Sequence, residues 1–134
     1  MAASQSPALT SDKLAELPKS FFAAVDAKDI DAVVSHFSPD ATLTVQTGHA
    51  TFTGRDEIRR MFADFINGSK QMLHEVKSIV VDEPNGKVAT QQQYTGELLD
   101  GTQNDMYNCN FFDVGADGKF TRVIIWMAGT SPLK

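Results

Sequence analysis

The stretch from Gly86 to Met127 constrains this chain more than any other. It reads as three successive strands, GKVATQQQYTGELLDG, TQNDMYNCNFFDVG and GKFTRVIIWMA, joined by short turns at Asp100-Gly101 and at Gly115-Ala116-Asp117-Gly118. Side chains alternate along a strand, so each strand carries two rows. Counted outward from a two-residue turn at Asp100-Gly101, Gln91, Gln93, Thr95 and Glu97 share a face with Asn104, Met106, Asn108, Asn110 and Phe112. The opposite rows hold Gln92, Tyr94, Gly96 and Leu98, with Asp105, Tyr107, Cys109 and Phe111. Neither face is plainly core or plainly solvent. The Gln/Thr/Glu/Asn row is either a wet surface or the wall of an internal pocket.

Ahead of the meander, residues 1–9 read as a flexible N-terminal tail and 10–134 as a single domain. Thr10 or Ser11 suits a helix N-cap, and Leu14, Leu17, Phe21, Phe22 and Val25 follow at three- and four-residue spacing. Pro18 predicts a kink or a break there. Ile30, Val33, Val34 and Phe37 give a second, shorter helix that ends at Pro39-Asp40. ATLTVQT and ATFT form a hairpin around Gly48-His49, and GRDEIRRMFADFING is a third amphipathic helix. A long strand over Gln71–Val81 then turns at Glu83–Gly86 into the meander. Helices followed by strands imply an α+β domain: a cone-shaped roll in which a curved, mostly antiparallel sheet wraps around three helices. Three short helices leave part of the concavity open as an internal pocket.

Composition narrows the partners. At 134 residues one domain buries roughly two thirds of its unfolded surface. Twelve basic against 17 acidic residues give a net charge of −5 with no Lys/Arg run, which argues against nucleic acid and anionic membrane as partners. The single cysteine excludes an intrachain disulfide and a cysteine zinc motif, and Cys109 reads as a small core residue. MAASQSPALT lacks the features of a signal peptide and no stretch approaches a membrane span, so the expectation is a soluble, cytoplasmic protein. The three histidines have no ligand spacing, and phosphate-loop motifs are missing, so neither a metal nor another cofactor is expected.

The run FFAAVDAKDIDAVVSHFSPDATLTV, then FTGRDEIRRMFADF, then DGKFTRVIIWMAG resembles the nuclear-transport-factor-2-like superfamily, and within it the SnoaL-like branch. The similarity covers about Leu14 to Gly129. It implies an α+β cone, commonly a homodimer, whose interior holds a small hydrophobic molecule. Ketosteroid isomerases, polyketide cyclases, scytalone-type dehydratases, epoxide hydrolases and non-catalytic binding modules are among its members. Carried over residue by residue, the isomerase tyrosine falls on Phe21, the general-base aspartate on Val45 and the second oxyanion-hole acid on Asn110. The cyclase aspartate of the last strand falls near Ala128. Of these, only Asn110 keeps a hydrogen-bonding group.

The resemblance turns the polar row into a pocket wall: Asn108, Asn110, Gln91, Gln93 and Thr95 bind substrate, with Phe21, Met106, Phe112, Ile125 and Met127 as its apolar side. Two residues are candidate catalytic groups. Glu97 in a half-apolar cavity would have its charged form disfavoured, which suits proton transfer; at the rim by Asp100 it would be merely solvated. His74 shares a face with Met72, Val76, Ser78 and Val80, where it is a general acid/base, a hydrogen-bonded core histidine or an exposed strand-end residue. His49 belongs to a turn and His36 is structural. Tyr94, Tyr107 and Trp126 fall on the convex face. Val123–Met127 is apolar in both alternations, so the outer sheet face calls for a homodimer partner beside Tyr94, Tyr107 and Phe111. The expected function is a cofactor-independent acid/base isomerase, cyclase or dehydratase. Its substrate is a small hydrophobic carbonyl- or hydroxyl-bearing molecule, such as a polyketide or terpenoid intermediate of secondary metabolism. The alternative is a non-catalytic small-molecule-binding or dimeric interaction module using the same pocket.

Overall fold

Thr10 caps the first helix, its side chain accepting from the Lys13 N–H at 3.2 Å, in a computed structural model that describes residues 9–128. The expected tail therefore lies outside the described residues except for Leu9, which packs against the core. Helix α1 (Ser11–Asp26) runs on through Pro18, where a break was expected. The proline forfeits one backbone hydrogen bond, but its ring is buried, and that burial offsets the loss. Helix α2 (Ile30–Ser35) starts at Asp29, whose carboxylate accepts from the Ala32 N–H at 3.2 Å. Phe37 does not extend it. It opens β1 (Phe37–Val45), which tolerates Pro39 because the ladder is irregular between Phe37 and Thr42.

After β2 (Ala50–Thr53) comes α3 (Gly54–Asn67), and then four long strands: β3 (Ser69–Asp82), β4 (Lys87–Leu98), β5 (Gln103–Val114) and β6 (Phe120–Trp126). They form one six-stranded sheet in the order β2-β1-β6-β5-β4-β3. Every neighbouring pair is antiparallel except β1 and β6, which are parallel. The architecture is thus the expected α+β roll. Apolar stripes of α1 and α3 cover the inner face, and Phe21 is at the centre. Its ring lies edge-on to those of Phe37, Phe62, Phe112 and Phe120, with centroids 5.6 to 6.0 Å apart. Among the described residues no helix is long and apolar enough to cross a membrane.

Two details of register decide which side chains reach that inner face. The β4–β5 turn has three loop residues rather than two. Leu98 pairs with Thr102, its N–H donating to Thr102 O at 2.8 Å, while Gly101 N–H returns to Leu98 O at 3.0 Å with Gly101 at φ +90°. Compared with a two-residue turn, the extra residue shifts β4 by one position, so Gln92 faces Asn108 and Tyr94 faces Met106. A slip of one residue exchanges the faces of a strand. Gln92 and Tyr94 therefore point inward, and Gln91, Gln93, Thr95 and Glu97 point outward. In β3, the pairing jumps between Val76 and Ser78, leaving Lys77 as a bulged residue. Beyond it Ile79 and Val81 pack on the core, whereas Val80, expected on the same face as His74, is exposed.

On β5 the inner row is Asn104, Met106, Asn108, Asn110 and Phe112, as expected. Cys109 accordingly lies outside and is exposed, not buried as a core residue. Tyr107, Phe111 and Trp126 are its large exposed neighbours on the outer face.

Candidate active site

Within the cone, α1 supplies Phe21, Phe22 and Val25, α3 supplies Phe62 and Phe65, and the sheet supplies His74, Gln92, Tyr94, Asn108, Asn110, Ile125 and Met127. The cavity between them has about 30 Å³ open to the centre of a water-sized sphere. That is room for one or two water molecules. The aromatic rings of the helices fill much of the concavity that the sequence left open.

On this lining His74 is paired, behind the wall, with Asp26, the last residue of α1. Asp26 Oδ1 lies 2.6 Å from His74 Nδ1, and its Oδ2 accepts the His74 backbone N–H at 2.8 Å. The pair is largely shielded, with the side chains 12% and 17% exposed. An ionised Asp26 only accepts, so the proton of a neutral imidazole sits on Nδ1 and Nε2 keeps its lone pair. Phe22 stacks on the imidazole at 4.9 Å with planes 14° apart, and Tyr94 flanks it at 5.1 Å. Ring orientation, tautomer and shielding from water are thus all fixed by neighbours. Lys28, held at φ 61°, ties this end of α1 to β3 by donating to Ser69 O at 2.6 Å and to Lys70 O at 3.2 Å.

Tyr94 is 2% exposed, on the inner face where the sequence had placed it outside. Burial raises its pKa above the ordinary 10.0; the Asn104 amide opposes the rise and the Asp26 carboxylate adds to it. Among the described residues neither Tyr94 Oη nor Asn104 Nδ2 has a hydrogen-bond partner, although both are buried. The Asn104 amide is near enough to act on the phenol's charge without reaching bonding geometry. A Cβ on Gly96 would stand 2.6 Å from Oη, so the glycine in mid-strand makes the room that this hydroxyl occupies.

The amides form the other polar group. Thr90 Oγ1 donates to Gln92 Oε1 at 2.7 Å, and Gln92 Nε2 donates to Asn110 Oδ1 at 2.9 Å. Asn108 Oδ1 accepts from the Ala128 N–H at 3.2 Å.

Of the residues proposed from sequence, His74, Phe21, Asn108, Asn110, Ile125 and Met127 meet at this cavity. Phe112 is fully buried behind it, and Met106 is partly buried on the same face further along. Gln91, Gln93 and Thr95 lie on the opposite face because of the turn, with Gln93 bonded to Asp105 Oδ1 at 2.9 Å. Glu97 goes with them. It lines an outer groove with Gln71, Leu73 and Thr95 and stands 3.7 Å from Lys70 Nζ, away from His74. Val45, where the isomerase base would fall, is buried in β1 and not on the lining. Sequence reasoning missed Asp26, Gln92 and Tyr94. Asp26 carried a faint signal as the residue one helical turn beyond Phe22, on the stripe that faces the sheet.

Three comparisons place this geometry among known proteins. A family model described as the SnoaL-like domain matches residues 19–123. No curated protein matches the chain in sequence. Among solved structures, the fold is similar to that of a candidate aromatic ring hydroxylase from Novosphingobium aromaticivorans, at 23% identity with 94% of each chain covered and a TM-score of 0.82. It is also similar to SalBIII, an epoxide hydrolase/cyclase-like enzyme in pyran ring formation in the polyether salinomycin, at 19% identity over 90% of this chain and 94% of that one, with a TM-score of 0.80. AusH from Aspergillus nidulans is 21% identical over 91% of this chain and 88% of its own, again with a TM-score of 0.80. Identities this low speak to the fold.

Proposed function

The chain belongs to the SnoaL-like domain family, and from that premise we propose that it is a cofactor-independent acid/base enzyme of the isomerase, cyclase or dehydratase kind. Its substrate is a small, mostly apolar molecule with a carbonyl or hydroxyl group, of the polyketide or terpenoid type, met in the cytoplasm. The observation that carries this reading is a cavity-lining His74 whose Nδ1 is held by Asp26. His74 Nε2 takes a proton from the carbon beside a carbonyl, and Asp26 balances the imidazolium that results. The side-chain amides of Asn108 and Asn110 donate to the oxygen as it gains negative charge. Returning the proton to another carbon gives isomerisation; delivering it to a departing hydroxyl gives dehydration. Glu97 has no part in this scheme. Any ligand larger than a water or two has to part the aromatic lining, so binding and opening of the cone go together.

Proton abstraction next to a carbonyl is measurable before the substrate is known. With 2-tetralone in D2O followed by proton NMR, the wild-type protein should speed deuterium uptake over buffer, and His74→Gln should cut that excess at least about a hundredfold. Equal uptake by the two proteins would refute the reading. The second reading, a small-molecule-binding or interaction module without chemistry, is favoured by one observation, the small free volume of the cavity. It calls for no deuterium uptake with any ketone but for thermal stabilisation that follows ligand concentration. Either reading goes with a homodimer formed through the outer sheet face, where Tyr107, Phe111 and Trp126 are about half exposed.

A further inference from the structure

Three buried polar side chains form a series, two in the cavity wall and one behind it, and the mechanism above uses only the last of them. Thr90, Gln92 and Asn110 are 3%, 1% and 2% exposed. Thr90 and Asn110 are cross-strand partners on β4 and β5, and Gln92 is the next inward residue of β4. Their bonds run in series: Thr90 Oγ1 to Gln92 Oε1 at 2.7 Å, then Gln92 Nε2 to Asn110 Oδ1 at 2.9 Å. Burying three such groups is costly unless each is satisfied, and an apolar trio of the same size would pack at lower cost. What the series achieves is orientation. An asparagine amide has one accepting and one donating end, and a partner that donates fixes which is which. With Oδ1 of Asn110 engaged by Gln92, the end left for the cavity is Nδ2. In this arrangement Thr90 gives its hydroxyl proton to Gln92 Oε1, which leaves Nε2 of Gln92 for Asn110. Asn108 is fixed independently, since the Ala128 backbone N–H can only donate and it occupies Oδ1.

We propose that Thr90 and Gln92 are positioning residues that turn the Asn110 amide so that it and Asn108 present two N–H donors to one substrate oxygen, which selects compounds able to carry negative charge on that oxygen, as enolates and phenolates do. This deepens the acid/base reading and rests on it. Thr90 is off the cavity lining, and Gln92, which is on it, has both ends of its amide engaged within the series. Reversing the series would present a carbonyl oxygen instead, which repels the same charge.

4-Nitrophenol serves as the probe, because its phenolate is yellow and the bound fraction in each form can be read directly. At a pH where the free probe is mostly protonated, the wild-type protein should enrich the bound phenolate. Thr90→Val should lower the bound phenolate-to-phenol ratio by roughly three- to tenfold, the range expected when a charge-assisted donor is lost. Gln92→Met should lower it equally, the double variant should fall no further than either single one, and Thr90→Ser should restore it. In the wild type, the Asn110 side-chain amide protons should shift in NMR spectra when the probe binds, a reading that needs no variant to fold. The proposal is overturned by any of three results: no phenolate enrichment in the wild type, a Thr90→Val ratio equal to the wild type, or an Asn110 amide unmoved by the probe. The band needs no turnover, so its failure and a failure of deuterium uptake with 2-tetralone are separate results.

Discussion

Asp26 gives both carboxylate oxygens to one residue, Oδ1 to the His74 ring and Oδ2 to its backbone N–H. Changing it to Asn keeps the shape but removes the charge that balances an imidazolium. Asp26→Asn should therefore lower deuterium uptake with 2-tetralone about a hundredfold while costing only about 1–3 kcal/mol of stability, read by urea melts. Tyr94 allows a test with the opposite sign. Its hydroxyl is buried without a partner among the described residues, so Tyr94→Phe should leave stability at neutral pH unchanged or raise it. The pH dependence follows from the raised pKa. In the unfolded chain the phenol ionises near its ordinary 10.0, while in the fold it resists, so the unfolded state gains as pH rises past that value. Wild-type stability should fall as pH rises past the ordinary 10.0 of the phenol, and Tyr94→Phe should lose that part of the fall. An equal decline in both proteins would show that the phenol is not responsible.

At the scale of elements, the β4–β5 turn sets the site, because its three-residue loop is what brings Gln92 and Tyr94 inside. Gly101 at φ +90° makes that loop possible, and a Cβ there meets no other atom within 4 Å, so only backbone strain opposes a side chain. Gly101→Ala should cost about 1 kcal/mol in a urea melt and Gly101→Asn less, since asparagine tolerates the left-handed region. This turn also shows why the sequence was only partly readable. Asp100-Gly101 has the chemistry of a two-residue hairpin, and nothing local distinguishes it from the longer loop, so the whole of β4 was placed one position out. His74 shares its face with Met72 and Val76, as the alternation indicates, because the pairing from Met72 to Val76 runs without interruption up to the bulge. Past Lys77 the same alternation fails, and no residue type announces the bulge. Element order, by contrast, follows from periodicity and punctuation that are local to each segment. Asp26 was invisible for another reason: its partner is 48 residues away, and a short polar residue at a helix end has many possible uses.

For the whole molecule, the inner face is filled and the outer face is not. Leu73, Val80, Tyr107, Phe111 and Trp126 are all about half exposed or more on the outside of β3 to β6. If the proposed dimer forms through that face, sedimentation equilibrium should give a two-chain mass at micromolar concentration, and Phe111→Glu with Trp126→Lys should give one chain without loss of helix content by circular dichroism. A wild-type monomer at that concentration would end the dimer proposal. The strand order also bears on how the chain acquires its shape. The β1–β2 hairpin and the β3–β4–β5 meander touch within the sheet only through β6, which follows all of them in the sequence. Until β6 is made, the two half-sheets have no ladder between them and the cone cannot close. Formation of the native state must therefore wait for the most distant pairing in the chain, that of Phe37–Val45 with Phe120–Ile125. During synthesis the nascent chain carries two unjoined edges for most of its length, which makes Phe120–Trp126 the segment whose truncation leads to aggregation rather than to a smaller stable fold.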